Sequence, residues 1–80
     1  MTIRVLLFAS YADTLGRSSV DLPVGERATV ADLVRELRSL PGAATLPPRP
    51  LVAVNHDYAP YDREIGPGDE VAVIPPVAGG

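Results

Sequence analysis

Few side chains in this 80-residue sequence could carry out covalent chemistry, and their scarcity shapes everything that follows. Cysteine is absent, and all seven basic residues are arginine, at positions 4, 17, 27, 35, 38, 49 and 63. Without cysteine there is no disulfide framework, no thiolate nucleophile and no cysteine metal site, so any sulfur the chain handles must come from outside it. The single histidine, His56, sits between Asn55 and Asp57. That setting is turn chemistry rather than a catalytic or metal site. Asp69 and Glu70 are adjacent carboxylates, but as strand neighbours they point to opposite faces, and Asp69 fits a turn. No metal site is expected.

One reactive group remains, the terminal carboxylate at Gly79-Gly80. Two glycines carry no side chains, so this end can enter a slot too narrow for any other residue. Pro75-Pro76 precede it and favour an extended chain. A stiffened tail loses less entropy on entering a partner's channel. Residues 75–80 reach about 20 Å when extended. A free carboxylate is a poor acyl donor. An activating enzyme can use ATP to convert it to an acyl adenylate, and a sulfur nucleophile can displace the nucleotide to leave a thiocarboxylate. The chain itself needs no catalytic side chain and no intrinsic cofactor for this. The expected reactive position is Gly80, with Pro75, Pro76, Val77, Ala78 and Gly79 as the inserting tail.

The elements that would position such a tail follow from periodicity. Ile3–Phe8 reads as a strand, with both faces covered because it is apolar almost throughout. Residues 10–15 suit a short helical turn ended by Gly16. Ser19–Leu22, stopped by Pro23, suits an edge strand. Val30, Leu33, Val34, Leu37 and Leu40 fall on one helical face, predicting a helix over 29–40. Thr29 and Asp32 approximate a capping box, Arg35 and Arg38 suit the helix C-terminus, and Pro41-Gly42 ends it. Residues 41–50 hold four of the nine prolines and read as a stiff surface loop. Leu51–Val54 is a strand, Asn55-His56-Asp57 a turn, Tyr58 the start of a very short strand, and Glu70–Ile74 the last strand. This order describes an α+β, β-grasp domain over 1–74, a mixed sheet of about four or five strands with one main helix packed on one face, followed by a tail at 75–80.

Alternation then sorts the side chains. Ile3, Val5 and Leu7 share one face, and Arg4, Leu6 and Phe8 the other; Val71 and Val73 separate from Ala72 and Ile74. The face bearing Arg4 is expected to look away from the helix. It still carries Leu6, Phe8 and Ile74, an apolar patch of the kind that marks a partner surface unless loops 9–16 or 41–50 fold over it.

Composition removes several classes of function. The formal net charge is −3, with no basic run, which disfavours nucleic-acid and membrane-surface roles. The longest apolar run, Val5–Ala9, is far below the ~20 residues that span a bilayer. Met1-Thr2-Ile3-Arg4 enters a strand pattern directly, so no signal peptide is expected and a cytoplasmic location is.

Val52-Ala53-Val54-Asn55, Gly68-Asp69-Glu70-Val71-Ala72 and Pro75-Pro76-Val77-Ala78-Gly79-Gly80 resemble the small, sulfur-carrying subunit family of molybdopterin synthase. The N-terminal strand followed by Ala9, and Leu15-Gly16 beyond it, is similar too. The resemblance spans almost the whole chain. It implies a ubiquitin-like β-grasp fold, adenylation at Gly80 by an enzyme of the ubiquitin-activating type that consumes ATP, and a thiocarboxylate at the same position. It further implies insertion into the large synthase subunit in a 2:2 heterotetramer, where sulfur converts cyclic pyranopterin monophosphate to the dithiolene. Family residues that contact the large subunit match Phe8, Tyr58 and Ile74, and Leu6 lies beside them. Two departures stand out. Val73-Ile74 replaces residues that are aromatic in many members, and the 41–50 loop has no counterpart.

Two other readings share the tail. One is a carrier delivering sulfur to thiamine or cysteine synthesis. The other is a ubiquitin-like modifier joined through Gly80 to lysines of targets; lacking lysine, this chain could not accept a second copy of itself at a side-chain amine.

Overall fold

The computed structural model describes residues 1–75. The first strand, β1 (Thr2–Leu7), shows the alternation directly. Ile3, Val5 and Leu7 are buried, Thr2 and Arg4 are exposed, and Leu6 is half-buried. The expectation that both faces are covered is therefore corrected: the even-numbered side stays open. The helical turn after it is a complete helix, α1 (Ala9–Leu15). It ends where Gly16 takes a left-handed φ of 71°. There the Gly16 and Arg17 amides donate to the Asp13 and Ala12 carbonyls at 3.3 and 3.1 Å, which satisfies the last turn.

β2 (Ser19–Pro23) pairs antiparallel with β1, from Thr2 opposite Pro23 to Leu6 opposite Ser19. It occupies a sheet edge, where a proline costs no ladder bond. The main helix, α2 (Val30–Arg38), is shorter than periodicity predicts, ending before Leu40. Its capping box forms with aspartate in the glutamate position. The Thr29 hydroxyl accepts from the Asp32 amide at 3.3 Å, and Asp32 Oδ2 accepts from the Thr29 amide at 2.9 Å. Two further first-turn amides, those of Val30 and Ala31, donate to the carbonyls of Arg63 and Tyr61 at 3.0 Å each. Residues 61–65 thus cross the start of α2 and use up its free donors.

β3 (Leu51–Val54) and β4 (Asp57–Tyr58) form a hairpin around Asn55 and His56. Both turn residues have positive φ, 53° and 73°, as a two-residue turn matched to strand twist requires. The last strand, β5 (Val71–Ile74), enters between β1 and β3. It runs parallel to the first and antiparallel to the second, giving the order β2-β1-β5-β3-β4.

One face of this mixed sheet packs on α2. Ile3, Val5, Leu7, Val52, Val71 and Val73 meet Val30, Leu33, Val34 and Leu37 in a single core. Truncating Leu33 or Leu37 to alanine would cost about 2–5 kcal/mol. The proline-rich segment contributes to the same core. It makes a 3-10 turn at Ala43–Thr45 and buries Ala43 and Leu46, while α1 buries Tyr11. Loops 9–16 and 41–50 therefore close the helix side of the molecule and leave the other face of the sheet uncovered. No helix among the described residues is long and apolar enough to cross a membrane.

The capping box predicts that Thr29→Ala lowers stability by about 1 kcal/mol. The check is the urea midpoint of the variant against the parent chain, with an unchanged denaturant slope.

Candidate functional site

The strand register lays out the open face as three rows. Leu7 lies opposite Val73, and Leu51 opposite Ile74. Phe8, one residue past Leu7 with an extended backbone (φ −121°, ψ 150°), therefore falls beside Ile74. The outermost row is Phe8, Ile74 and Leu51. Phe8 is 47% and Leu51 48% exposed, so the row is bare apolar surface. Pro75, half-buried, follows at once. The chain thus leaves the sheet from the middle of its most apolar row.

The second row is Ser19, Leu6, Ala72, Ala53 and Tyr58. The two alanines keep it shallow, while Tyr58, 71% exposed, stands at the far strand. Leu6 and Tyr58 lie three strand spacings apart, about 14 Å. The third row is polar. Arg4 pairs with Asp21 at 3.2 Å, and Glu70 lies 3.7 Å from His56 Nε2. The face therefore grades from charged at the start of β1 to greasy where β5 ends.

Of the residues singled out from the sequence, Leu6, Phe8, Tyr58 and Ile74 all reach this face. Phe8 and Ile74 are direct neighbours, Leu6 lies in the adjoining row, and Tyr58 stands off to one side. Pro75 is the first residue beyond β5. Pro76, Val77, Ala78, Gly79 and Gly80 lie outside the described residues. Leu51 was not singled out. Its strand, Leu51-Val52-Ala53-Val54, contains no polar residue to show which parity faces outward. Only its register with Ile74 reveals it.

The turn before β5 fixes where that strand starts. Asp69 Oδ2 accepts from the Gly66 amide at 2.8 Å, its Oδ1 accepts from Asn55 Nδ2 at 2.9 Å, and Arg63 Nη1 reaches Oδ2 at 3.4 Å. Asn55 returns the link, since its Oδ1 accepts from the Glu70 amide at 2.9 Å and its own amide donates to the Glu70 carbonyl at 2.7 Å. The Gly66 amide, then Asn55, holds the Asp69 carboxyl below its ordinary range. This carboxylate is a structural clamp, tying the β3–β4 turn to the entry of β5. His56 is exposed within that turn, and its one ionic neighbour among the described residues is Glu70. Among the described residues there is no cluster of three metal-ligating side chains.

Comparison with known proteins agrees with this layout. The ThiS family pattern matches residues 5–80. The molybdopterin synthase sulfur carrier subunit of Dictyostelium discoideum is 38% identical, with 96% of this chain and 94% of that protein covered. The human protein of the same name is 33% identical, with 98% and 93% covered. Among solved structures, small archaeal modifier protein 1 of Haloferax volcanii superposes with a TM-score of 0.81 at 28% identity, covering 95% of this chain and 98% of that one. A chain from the complex of subunits 1 and 2 of molybdopterin-converting factor from Helicobacter pylori gives a TM-score of 0.72 at 18% identity, with both chains fully covered, and this likeness bears on the fold.

The Asp69 clamp carries a pH prediction. Its lowered folded-state pKa means that its stabilisation is complete above the ordinary carboxylate range near roughly 4 and is lost as pH falls through the folded-state value. Asp69→Asn turns an amide N–H either toward Asn55 Nδ2 or toward the Gly66 amide and Arg63. The stability difference between parent and variant is expected in full at neutral pH and to shrink under acid, read from denaturation curves across pH.

The β-grasp sheet, the apolar row at the end of β5 and near-complete coverage by these relatives lead to one assignment: the chain belongs to the ThiS family.

Proposed function

We propose that this chain is the sulfur carrier of a molybdopterin synthase, loaded at Gly80. The observation that carries the reading is the junction of Phe8, Leu51 and Ile74 with Pro75. An apolar docking row at the root of the tail would let one partner hold the domain and receive its terminus together. The family pattern extending to residue 80, and relatives named as sulfur carrier subunits, support the same reading.

In the proposed cycle an activating enzyme of the ubiquitin-activating type joins the Gly80 carboxylate to the AMP portion of ATP, releasing pyrophosphate. A sulfur nucleophile attacks the acyl carbon and expels AMP, leaving a thiocarboxylate. The large synthase subunit then receives the tail, in a 2:2 assembly, and sulfur passes to cyclic pyranopterin monophosphate. The carrier supplies the acyl group, the reach and the docking row; the reaction would take place in the cytoplasm. That the Helicobacter pylori relative is described in complex with subunit 2 supports a large-subunit partner.

A second reading is favoured by the likeness to the Haloferax volcanii modifier protein, in which Gly80 would be joined to amines of target proteins. Lysine-linked adducts of this chain in a cell extract would support it over sulfur transfer.

Incubation with ATP, the activating enzyme and a sulfur source is expected to add about 16 Da, one oxygen exchanged for sulfur, by intact mass. Deleting Gly80 is expected to abolish that gain while the circular dichroism spectrum stays unchanged; a normal gain on the shortened chain overturns the proposal. Phe8→Asp and Ile74→Asp are expected to weaken binding to the large subunit by about tenfold or more, or ~1.4 kcal/mol. Their urea midpoints should move by less than that equivalent, because both residues sit on the open face.

A further inference from the structure

The arginines of this acidic chain are unevenly committed. Arg4, Arg27, Arg35 and Arg63 each pair with a carboxylate, Asp21, Glu64, Asp32 and Asp69 respectively, at 3.1–3.4 Å. Among the described residues, Arg17, Arg38 and Arg49 have no carboxylate within 4 Å. Two of those three line one cleft, on the side of the sheet away from Phe8 and Ile74. Its walls are one side of α2, with Ala31, Val34, Arg35 and Arg38, and Pro48-Arg49 of the proline-rich loop; Tyr61 completes the lining.

The guanidinium groups there are held, but not satisfied. Arg49 stacks over the Tyr61 ring at 4.2 Å from its centroid. The Tyr61 hydroxyl donates to the Pro50 carbonyl, which anchors the ring and the loop together. Arg38 makes one long bond, Nη2 to the Leu46 carbonyl at 3.4 Å, and its Nε is buried with no hydrogen-bond partner. A guanidinium carries five N–H donors, so one long bond leaves Arg38 with donors beyond it for an acceptor. The first-turn amides of Val30 and Ala31 are not free donors there, because the carbonyls of Arg63 and Tyr61 occupy them.

We propose that this cleft docks an acidic segment of a partner protein, with Arg38 and Arg49 receiving its carboxylates. Charge complementarity supplies the argument, since arginine forks match carboxylates in paired geometry. Size selects the occupant. At about 230 Å³ the cleft is smaller than the ~300–1,000 Å³ of sites that enclose a small molecule. It suits Asp or Glu side chains offered by a surface laid across it rather than a whole nucleotide. Because it lies opposite the apolar row, a partner held here would leave the tail side free, so two proteins could hold the carrier at once. The inference goes beyond the tail chemistry and does not depend on it.

The test is a titration of the nitrogen-labelled full chain at low ionic strength, following the arginine Nε–Hε and backbone amide signals. The probes are a hexaglutamate peptide, a hexaglutamine peptide and inorganic phosphate. Hexaglutamate is expected to shift Arg38, Arg49 and Tyr61 saturably. The Arg38→Gln, Arg49→Gln double variant is expected to weaken it by about tenfold or more. Should the double variant unfold, Arg49→Gln alone, at an exposed position, is expected to weaken it by roughly threefold. Four outcomes overturn the proposal. They are equal action by hexaglutamine; saturation of the same signals by phosphate at lower concentration, which would make this a small-anion site; shifts spread evenly over Arg4, Arg17 and Arg27; and an affinity unchanged by Arg49→Gln.

Discussion

β5 runs between β1 and β3, and its register with both is set by two fully buried valines, Val71 and Val73. Their place opposite Val5, Leu7, Val52 and Val54 leaves no freedom to slip, because a shift by one residue would turn both valines to water and bring Ala72 and Ile74 inside. The same constraint decides what the other face shows. With Val73 inward, Ile74 must point outward, flanked by Phe8 and Leu51. The apolar row is thus a by-product of core packing, and Pro75 follows beside it for the same reason. The Asp69–Asn55 clamp supports this from the other end by fixing where β5 begins.

Much of this architecture is legible in the sequence because local signals agree with the global fold. The Thr29–Asp32 box, the apolar face of α2, the glycine stop at residue 16 and the edge position of the strand ending in Pro23 each follow from one or two residues. Arg4 did the most for the site. One charge in an apolar strand fixed its parity, and with it the outward placement of Leu6 and Phe8. β3 had no such marker, so Leu51 could be placed only through its partner strand. The assumption that an apolar β1 is covered on both faces failed because Leu6 and Phe8 on the open face are as apolar as the residues of the core.

The proline-rich segment was the least readable. It looked like solvated loop because prolines dominate 41–50, yet it buries Ala43 and Leu46 and positions Arg49 over Tyr61. Long-range contacts of this kind leave no periodic trace. The segment widens the helix side of the molecule and builds one wall of the arginine cleft. Two surfaces of opposite character result, an apolar row on the bare sheet and a cationic cleft behind it, separated by the thickness of one core.

The position of β5 also matters while the protein is being made. It follows β1 to β4 in the chain, yet it belongs in the interior of the sheet, so β1 and β3 have no partner for their facing edges until residue 74 has emerged. A nascent chain short of that point cannot bury Val5, Leu7 and Val52 together, and it shows chaperones and proteases two open edges.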